Sequence, residues 1–430
     1  MPAQRKATTL SHGPSYWEAR HNPRSILVLY ARTKIMATDP ATFDPSRLVA
    51  VLGGGQLGRM LGFAGNRINV TCKFLDPSPV APAIAAGELL VGELNDFAAV
   101  ARLAKEATVL TYEWEGVDPG AIVAQGNTPP VRPSVRALKI ARDRGQEKQL
   151  LRDLDIPLAN FAVIENEGDI EAALNHVGFP AVLKTQFGGY DGKGQARVNS
   201  LDELSVAVKG FAGAPLTLEE LVLFTRELSL IAVRSLTGET VYYPLVENLH
   251  ADGILRITRA PALDLMGSLE GMQDQQKIAE GYARSILDEL DYVGVLTLEL
   301  FEGNDQLLVN EIAPRVHNSG HWTIEGAQCS QFENHLRAIL GDPLGSPEAI
   351  GASAMVNCLG VMPDPEALNS LPDTYLHDYG KDLRPNRKVG HVTITATDNR
   401  VVEEQLLELR KIAPEIFLGL DASTHRSSGV

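Results

Sequence analysis

Residues 48–61 read LVAVLGGGQLGRML, an apolar run that breaks into glycines and then resumes with helix-forming residues. The spacing Gly53-x-Gly55-x-x-Gly58 after a β-rich run fits the Rossmann fingerprint, whose glycines permit a tight turn and let a phosphate approach a helix N-terminus. Asp76 ends the next strand-like run, near the place of the acid that binds the ribose in NAD enzymes. The turn therefore predicts an α/β domain, and it leaves open whether that domain binds NAD or another ligand that approaches its backbone.

Strand-like and helix-like runs alternate from Arg47 to about residue 127, and this alternation predicts a parallel sheet. A charged helical stretch at 133–155 leads into a region with a different pattern of apolar residues. There the extended runs LTLEELV, RELSLIAVRSL and TVYYPLVENL predict an antiparallel sheet. A helix at 274–290, two apolar strands, a basic turn and the strand HVTITAT follow.

The predicted fold class is therefore α/β combined with α+β. We place a Rossmann-like domain at 46–143, a larger domain at 144–345 and a small C-terminal domain at 346–430. Residues 1–45 mix Arg, Ser, His and Pro without sustained periodicity, so we predict a disordered N-terminal extension there.

The composition excludes several classes of function. The chain has 430 residues, of which 44% are apolar and 22% charged, and its formal net charge of -15 argues against nucleic acid or an anionic membrane as a partner. The cysteines Cys72, Cys329 and Cys358 have no metal-like spacing and suit buried thiols in a reducing cytoplasm. No apolar run approaches the roughly 18 residues of a membrane helix. We therefore expect a cytoplasmic protein.

Two glutamates on neighbouring strands give the sharpest local argument. If the strands around them form a hairpin that turns at 304–306, residues whose numbers sum to about 610 face one another, so Glu299 lies opposite Glu311. Like charges directly opposite are destabilising, and a divalent cation between them would remove that cost. Oxygen-only ligands suit Mg²⁺, which binds through one or two carboxylates plus substrate phosphates. The alternative is a solvated surface pair, which the apolar character of both strands disfavours.

Residues 184–194, KTQFGGYDGKG, place four glycines and a second lysine directly after a strand that ends in Lys184. Glycine-rich backbone offers N–H groups to phosphate oxygens, and lysines add positive charge. No Lys-Ser or Lys-Thr pair opens a helix here, so the segment is not a Walker A loop. A mobile hairpin tip is the alternative, but it leaves Lys184 unexplained.

Two further clusters carry polar side chains. Residues 313–322, APRVHNSGHW, follow the second glutamate strand, and their Arg, His, Asn and Ser could orient an oxyanion or move a proton. Lys381, Arg384, Arg387 and Lys388 gather four cations within eight residues of an acidic protein. They predict either a phosphate clamp or a solvated basic turn.

These pieces in this order resemble the ATP-grasp superfamily. More closely, VLGGGQLGRML, LKTQFGGYDGKGQ, YPLVENLHADGILR, NEIAPRVHNSGHW and RPNRKVGH together are similar to the 5-(carboxyamino)imidazole ribonucleotide synthase family. The similarity runs from about Arg47 into the C-terminal domain. It implies an ATP-grasp fold, with the ATP-grasp domain at 144–345 and a glycine-rich lid around 184–195.

The resemblance implies an ATP-dependent carbon–nitrogen ligase of purine (IMP) biosynthesis. ATP with Mg²⁺, or Mn²⁺ in its place, would phosphorylate bicarbonate to carboxyphosphate, and the exocyclic amine of 5-aminoimidazole ribonucleotide would then be carboxylated. An unstable intermediate of this kind needs a closed site from which water is excluded. The family further implies a homodimer and a separate carboxyaminoimidazole ribonucleotide mutase as pathway partner.

The resemblance also assigns individual residues, taken here motif by motif. Arg315, His317 and Asn318 would hold bicarbonate and carboxyphosphate as catalytic residues, and Glu299 and Glu311 would hold the metal ion. ATP would meet Arg144, Lys184, Gly189, Tyr190, Asp191, Gly192, Lys193, Gly194, Gln195, Glu219, Glu220, Leu221, Val222, Glu227, His250, Asn310 and Glu311. The ribonucleotide would meet Gln56, Tyr190, Asp191, Lys193, Ser319, Lys381 and Arg387 in addition to the three catalytic residues.

Three positions depart from the patterns of the family and superfamily. One is Lys193, where arginine also occurs, and lysine lacks its bidentate fork. Ala313 stands where many ATP-grasp enzymes have an asparagine after the second metal-binding glutamate. Asn386 stands at an expected glycine of the basic turn, and because asparagine tolerates left-handed backbone we expect the turn to persist.

Three other functions compete with this assignment. Another ATP-grasp carboxylase or ligase, such as a biotin carboxylase or a formate-using glycinamide ribonucleotide enzyme, would share the ATP and metal residues but lack RVHNSGHW and RPNRKVGH. An NAD-dependent oxidoreductase follows from the glycine turn alone. A nucleotide-sensing module would bind ATP without turnover.

Overall fold

The computed structural model describes residues 47–123, 129–189, 193–211, 213–303 and 306–420. The predicted extension at 1–45, the lid residues Tyr190, Asp191 and Gly192, and hairpin residues 304–305 lie outside these ranges. Within the ranges, no helix combines the length and the apolar character that a membrane span requires.

The first domain contains a four-stranded parallel sheet in the order β3-β2-β1-β4. Its central strand, LVAVL, is buried at every position, as expected for a parallel strand covered on both faces. The glycine turn joins this strand to the first helix, and Gly53 adopts a left-handed φ of 103° that favours glycine. The elements are β1 (Leu48–Leu52), α1 (Gln56–Arg67), β2 (Thr71–Asp76), β3 (Glu88–Val91), α2 (Phe97–Ala104), β4 (Val109–Tyr112) and α3 (Pro119–Val123).

The predicted charged helical stretch at 133–155 forms two helices, α4 (Val135–Ala141) and α5 (Arg144–Asp153). Asp143 explains the break, because its carboxylate accepts hydrogen bonds from the backbone N–H groups of Gly145 and Gln146 and so caps a new helix. The second helix therefore begins at Arg144, which points its guanidinium into the candidate site.

A second sheet carries the glycine-rich loop. Its four antiparallel strands lie in the order β5-β8-β6-β7, and the loop joins β6 to β7. Helices pack on this sheet over a small apolar core. The elements are β5 (Phe161–Ile164), α6 (Ile170–Val177), β6 (Ala181–Thr185), β7 (Gln195–Val198), α7 (Leu201–Gly210) and β8 (Leu216–Glu220).

The largest sheet has nine strands, and two of them carry the glutamates of the candidate site. The run TVYYPLVENL, predicted as a single extended run, divides into two strands of this sheet around residues 243–245. The elements are β9 (Arg226–Arg234), β10 (Thr240–Tyr242), β11 (Val246–Ala251), β12 (Ile254–Ala260), α8 (Gln273–Glu289), β13 (Gly294–Glu302), β14 (Leu307–Ala313), α9 (Thr323–Gly326) and α10 (Gln331–Leu340).

The C-terminal strands continue this sheet rather than forming one of their own. The order is β14-β13-β9-β11-β12-β15-β17-β16, and β10 pairs with β9. Ile257 of β12 lies opposite Val356 of β15, so the basic turn between β16 and β17 is carried by the same sheet as the two glutamates. The added elements are β15 (Ala352–Leu359), α11 (Pro365–Leu368), β16 (Thr374–Asp378), β17 (Lys388–Ala396) and α12 (Asn399–Ile412).

The three cysteines are buried and form no disulfide, as the sequence predicted. Burial raises the pKa of Cys72 and of Cys329 to about 12, so neither thiol is ionised near neutral pH.

Candidate active site

The two glutamates lie opposite one another in the β13–β14 hairpin, and the predicted register is confirmed. Each carboxylate has its own partner. Glu299 Oε1 lies 3.0 Å from His317 Nε2, and Glu311 Oε2 accepts a hydrogen bond of 2.9 Å from Arg144 Nη1. The like-charge repulsion expected from the sequence is therefore offset inside the protein by two neighbouring donors.

This pair has the chemistry of a magnesium site. Burial alone would raise the pKa of Glu299, but His317, His250 and Lys388 lower it to about 2, so this carboxylate is ionised. Glu311 keeps 37% of its side chain exposed and can reach a ligand. Among the described residues no group of three or more His, Cys, Asp or Glu side chains could hold a metal ion. Two hard oxygen ligands fit an ion that completes its shell with phosphate and water oxygens.

His317 is held so that one ring nitrogen faces Glu299. Its Nδ1 accepts from the backbone N–H of Ser319 and lies 2.9 Å from the Ser319 hydroxyl. Its backbone N–H donates to the Gln331 side chain, whose amide donates back to the His317 carbonyl. With Nδ1 as acceptor, Nε2 carries the proton and donates to Glu299. The sequence did not identify Gln331 as a support of this turn.

Arg315 reaches into the first domain. Its Nε and Nη2 both donate to Glu115, and its Nη1 donates to the Val316 carbonyl, so these contacts use three of its five N–H donors. Burial would raise the pKa of Glu115, but the Arg315 guanidinium lowers it below its ordinary value. This bidentate pair fastens the segment 313–322 to the first domain.

Asn318 forms a reciprocal amide pair with Asn357 on β15. The distances are 2.8 and 3.1 Å, and Asn357, which is fully buried, also donates to the Leu255 carbonyl. The Asn318 side chain is therefore fixed by a residue of the C-terminal strands that sequence reasoning missed.

The candidate ATP cleft contains a buried cluster of charges. Glu219 Oε2 lies 2.8 Å from Lys184 Nζ and 3.1 Å from Lys148 Nζ. Burial would raise the pKa of Glu219, but these two lysines lower it to about 2. Lys184 was predicted as a phosphate contact, whereas Lys148 was not, because on sequence alone it is one more charge in a charged helix.

Glu147 is a second buried residue of α5 that the sequence did not single out. Its Oε1 accepts a hydrogen bond of 2.5 Å from the backbone N–H of Ile312, next to Glu311. Burial raises the pKa of Glu147 to about 8, and the nearby charge of Glu311 also raises it. This contact joins the helix to the strand that carries the second glutamate.

Thr185 and Gly194 lie at the two ends of the glycine-rich loop and contact each other. The backbone N–H of Thr185 donates to the Gly194 carbonyl at 2.7 Å, and Gly194 has a φ of 72°. A Cβ atom there would lie 2.6 Å from Thr185 Oγ1, so both backbone and space require glycine. Gly189 lies beside Arg144, while Lys193 and Gln195 are exposed.

Four of the predicted ATP contacts lie at the end of β8, which contains Glu219 and Glu220 and is followed by Leu221 and Val222. The backbone N–H groups of Glu220 and Leu221 donate to the carbonyls of Asn160 and Pro180, which fixes the path of the chain as far as Val222. The Glu220 carboxylate is exposed and accepts from Asn160 Nδ2 at 2.8 Å.

Glu227 and His250 form a hydrogen-bonded pair on β9 and β11. Burial would lower the pKa of His250, but the hydrogen bond and charge of Glu227, together with Glu299, raise it. Glu227 is two residues from Ser229, the β9 partner of Glu299, so its side chain lies on the same face of the sheet as Glu299.

Two carboxylates of the first domain bind the backbone of the glycine turn, at the place where an NAD enzyme would bind a pyrophosphate. Glu113 accepts from the backbone N–H groups of Gly55 and Gly58, each at 2.5 Å, and Asp76 accepts from Gly54 at 2.9 Å. Burial raises the pKa of Glu113, and the two backbone donors oppose that shift. A dinucleotide phosphate would have to displace these carboxylates, so the turn does not support NAD binding.

Gln56, the first residue of α1, meets the C-terminal strands. Its Oε1 accepts a hydrogen bond from Lys381 Nζ, which also lies 5.7 Å from the centre of the Tyr379 ring. The structure thus brings together two predicted substrate contacts that are 325 residues apart in sequence.

The other residues of the basic turn are arranged differently. Asn386 adopts a φ of 60°, so asparagine supports the left-handed position as predicted. Arg387 Nη1 donates to the Asp382 carbonyl at 3.4 Å at the surface, and the Arg384 side chain is 69% exposed. Lys388 is close enough to lower the pKa of Glu299.

Of the predicted residues that the structure describes, one group lies around the glutamate pair and the ATP cleft and another around the glycine turn, whereas Lys193, Gln195 and Glu220 are exposed and Arg387 makes its contact at the surface. Besides Gln331, sequence reasoning missed five supporting residues. A signal existed for two of them, because the run TYEWE at 111–115 places two glutamates at the carboxyl end of a parallel strand, where ligands bind in open α/β sheets. The missed residues are Glu113, Glu115, Glu147, Lys148 and Asn357.

The succession of domains and the site define an ATP-grasp enzyme. Residues 47–142 match the ribonucleotide synthetase preATP-grasp domain, residues 149–332 the ATP-grasp domain and residues 353–405 the phosphoribosylaminoimidazole carboxylase C-terminal domain. The predicted fold class is confirmed.

Similar proteins identify the family within that class. The chain is 44% identical to the N5-carboxyaminoimidazole ribonucleotide synthase of Pseudomonas aeruginosa, over 85% of this chain and 99% of that protein. The crystal structure of the synthetase from Thermus thermophilus matches with 46% identity and a TM-score of 0.80, over 85% of this chain and 98% of that one. A synthase from Aspergillus clavatus, in complex with ADP and 5-aminoimidazole ribonucleotide, matches with 34% identity and a TM-score of 0.78, over 86% and 98%. The chain belongs to the N5-carboxyaminoimidazole ribonucleotide synthase family, which confirms the resemblance.

Proposed function

We propose that this chain catalyses the ATP- and bicarbonate-dependent carboxylation of 5-aminoimidazole ribonucleotide to N5-carboxyaminoimidazole ribonucleotide, in the synthesis of purines. The family supports this reaction, as does the Aspergillus clavatus relative that holds ADP and 5-aminoimidazole ribonucleotide. The proposal rests on the contacts that connect the residues around the glutamate pair with the first domain and the C-terminal strands. His317 contacts Glu299 of the glutamate pair, and Arg315 of the same segment binds Glu115 of the first domain, whose glycine turn is followed by Gln56 in contact with Lys381.

The residues that surround the glutamate pair would serve the first half of the reaction. A bicarbonate oxygen attacks the γ-phosphorus of ATP, ADP leaves, and carboxyphosphate forms. Arg144 and Lys184 supply positive charge where negative charge moves between oxygens, and the lid excludes water. Glu299 and Glu311 would hold Mg²⁺, or Mn²⁺ in its place, and the ion would neutralise phosphate charge.

His317 and its neighbours would hold the small oxyanion. Ser319 at Nδ1 keeps the proton of His317 on Nε2, and this N–H, which donates to Glu299 in the structure, would have to turn from that carboxylate to the oxyanion. Arg315 keeps two N–H donors beyond those that bind Glu115 and Val316, and Asn318 presents an amide fixed by Asn357. These donors suit an anion with oxygens in one plane, such as bicarbonate.

The second half of the reaction would take place beside the glycine turn. The exocyclic amine of the ribonucleotide attacks the carbonyl carbon of carboxyphosphate. A new N–C bond forms, the C–O bond to phosphate breaks, and the departing phosphate can accept the amine proton. Gln56, Lys381 and Arg387 would bind the ribonucleotide, together with Tyr190, Asp191 and Lys193 of the lid.

Several features of the protein remain part of the proposal. The domains would divide at 46–143, 144–345 and 346–430. We also propose a homodimer in the cytoplasm whose product passes to a separate carboxyaminoimidazole ribonucleotide mutase. Sedimentation would test the dimer independently of activity.

The decisive experiment measures ADP release with bicarbonate, with and without 5-aminoimidazole ribonucleotide, and follows ¹³C from bicarbonate into product by NMR. We expect ADP and a ¹³C–N product in equal amounts when the ribonucleotide is present. A matched assay replaces the ribonucleotide with biotin, or with glycinamide ribonucleotide and formate. Turnover with either of those, or ADP release without a ¹³C–N product, would refute the proposal.

A further inference from the structure

Lys148 is a fully buried lysine at the candidate ATP cleft to which neither the sequence motifs nor the reaction assigns a task. Its side chain is 1% exposed. Its ammonium lies 3.1 Å from Glu219 Oε2 and donates a hydrogen bond of 2.9 Å to the Asn310 carbonyl. It therefore joins α5 to two strands of the cleft, β8 and β14. Lysine is almost never buried unless it is paired, so this position requires a reason.

A single carboxylate oxygen serves two lysines. Glu219 Oε2 accepts from Lys184 Nζ at 2.8 Å while it contacts Lys148, and the side chains of Glu219, Lys184 and Lys148 are 4%, 12% and 1% exposed, respectively. Glu219 Oε1 is buried and has no hydrogen-bond partner within the described residues. The trio carries one negative and two positive charges, so one positive charge is left for an anion.

The distribution of that charge matters when a nucleotide binds. Lys184 is the second-last residue of β6, just before the glycine-rich loop, and it must turn at least one donor from Glu219 toward a phosphate if it is to bind ATP. Without Lys148, that movement would leave a buried carboxylate unpaired beside a polyphosphate. A buried charge that loses its partner is strongly destabilised. With Lys148 in place, Glu219 keeps a cation whether or not ATP is present.

We propose that Lys148 is a positioning residue for ATP, which keeps the Glu219 carboxylate paired so that Lys184 is able to leave it for a phosphate group. This inference rests on the proposed function in one respect, the contact between Lys184 and ATP. Lys148 touches no substrate in this arrangement and acts through Glu219.

Two simpler roles make different predictions. Lys148 could serve stability alone, in which case its loss would lower the melting temperature and leave nucleotide affinity unchanged. It could instead attract phosphate directly through its charge, in which case its loss would weaken binding equally whether or not Glu219 is ionised.

A double-mutant cycle separates these roles. ATP affinity is measured by calorimetry without bicarbonate, so that no turnover occurs, for the parent, Lys148→Met, Glu219→Gln and the double variant. We expect Lys148→Met to weaken ATP binding at least tenfold in the parent and less than threefold in the Glu219→Gln background. The KM for the ribonucleotide should change less than twofold in Lys148→Met, and melting of the nucleotide-free variants reports stability separately.

Equal losses of ATP affinity in both backgrounds would overturn the proposal, as would a loss of less than threefold in the parent. If Lys148→Met does not fold, the Glu219→Gln variant and the double variant, which lack the uncompensated carboxylate, decide the matter. The ATP affinities of these two variants should agree within threefold, and a larger difference between them would overturn the proposed role of Lys148. A parent that binds ATP but shows no ribonucleotide-dependent ADP release would refute the proposed function and leave the cycle valid.

Discussion

Replacing Glu311 with Gln changes two electrostatic interactions of opposite sign. In the metal-free protein the change removes a charge-assisted hydrogen bond of 2.9 Å from Arg144 Nη1. It also relieves the repulsion between Glu311 and Glu299, which lie directly opposite in the hairpin. Because glutamine keeps the volume and one acceptor oxygen, the difference between the two proteins is mainly the charge.

The structure gives the expected size of each effect. A hydrogen bond to a charged group contributes about 1.5–3 kcal/mol, and the 37% exposure of the Glu311 side chain places this one at or below the lower limit. The opposed carboxylates cost about 0.2–1 kcal/mol. The lost contact outweighs the relieved repulsion, so we expect a net destabilisation of about 1 kcal/mol. For a chain of this size that is a fall of about 2 °C in the melting temperature.

The assay combines melting in the presence of a chelator with ADP release at saturating Mg²⁺. Glu403→Gln is the matched control, because Glu403 pairs with Arg259 at 2.5 Å outside the site, and Arg259 is 18% exposed where Arg144 is 17% exposed. Glu403→Gln should lose at least as much stability as Glu311→Gln, because Glu403 makes two hydrogen bonds to Arg259 and has no opposed carboxylate like Glu299 whose repulsion would be relieved. Only Glu311→Gln should lose turnover, by about a hundredfold or more, because the phosphates lose a ligand of their cation.

Two results would contradict this reasoning. Normal turnover in Glu311→Gln would remove Glu311 from the metal site. A metal-free variant as stable as the parent, or more stable, would mean that repulsion from Glu299 exceeds the contribution of Arg144. Mg²⁺ with ADP should also raise the melting temperature of the parent and not that of Glu311→Gln, which gives a readout independent of activity.

Three further predictions concern other parts of the site. Arg387→Ala should raise the KM for the ribonucleotide about tenfold and leave the KM for ATP nearly unchanged, because a charge-assisted phosphate contact contributes about 1.5 kcal/mol or more. The control is Arg384→Ala, since the Arg384 side chain is exposed. Equal effects of Arg387→Ala on both KM values would exclude a phosphate contact. The pKa of Glu219 is about 2 against an ordinary 4.5, so the contribution of its charge to stability is complete above pH 4.5 and is lost as the pH falls toward 2. The free energy of unfolding of Glu219→Gln, measured in urea, should therefore depend less on pH in that window than that of the parent. An unchanged pH dependence would contradict the ion pairing of Glu219 with the two lysines. Calorimetry should detect no NAD binding, since Glu113 and Asp76 already accept from the glycine turn, and micromolar NAD affinity would overturn this.

Local patterns in the sequence predicted much of the fold. The register that places Glu299 opposite Glu311 follows from strand alternation and the position of the turn, and the structure has that register. The glycine turn and the parallel first sheet were predicted for the same reason, since each depends on residues close in sequence, whereas the left-handed Asn386 was expected from the family resemblance. The helical character of 133–155 was also predicted, but the break between its two helices was not, because it depends on one side chain, Asp143, which caps the second helix.

The partners of the charged residues were decided by the tertiary structure alone. Glu311 pairs with Arg144 across 167 positions, Arg315 with Glu115 across 200 and Lys381 with Gln56 across 325. Periodicity and turn chemistry act over a few residues, whereas the energy of an ion pair depends on distance and on exclusion of water, which exist only after the sheets have packed. The sequence by itself therefore determined which residues could do the chemistry and on which strands they lie. Packing determined which of them are ionised and paired, because only the folded interior is dry enough to make those differences large.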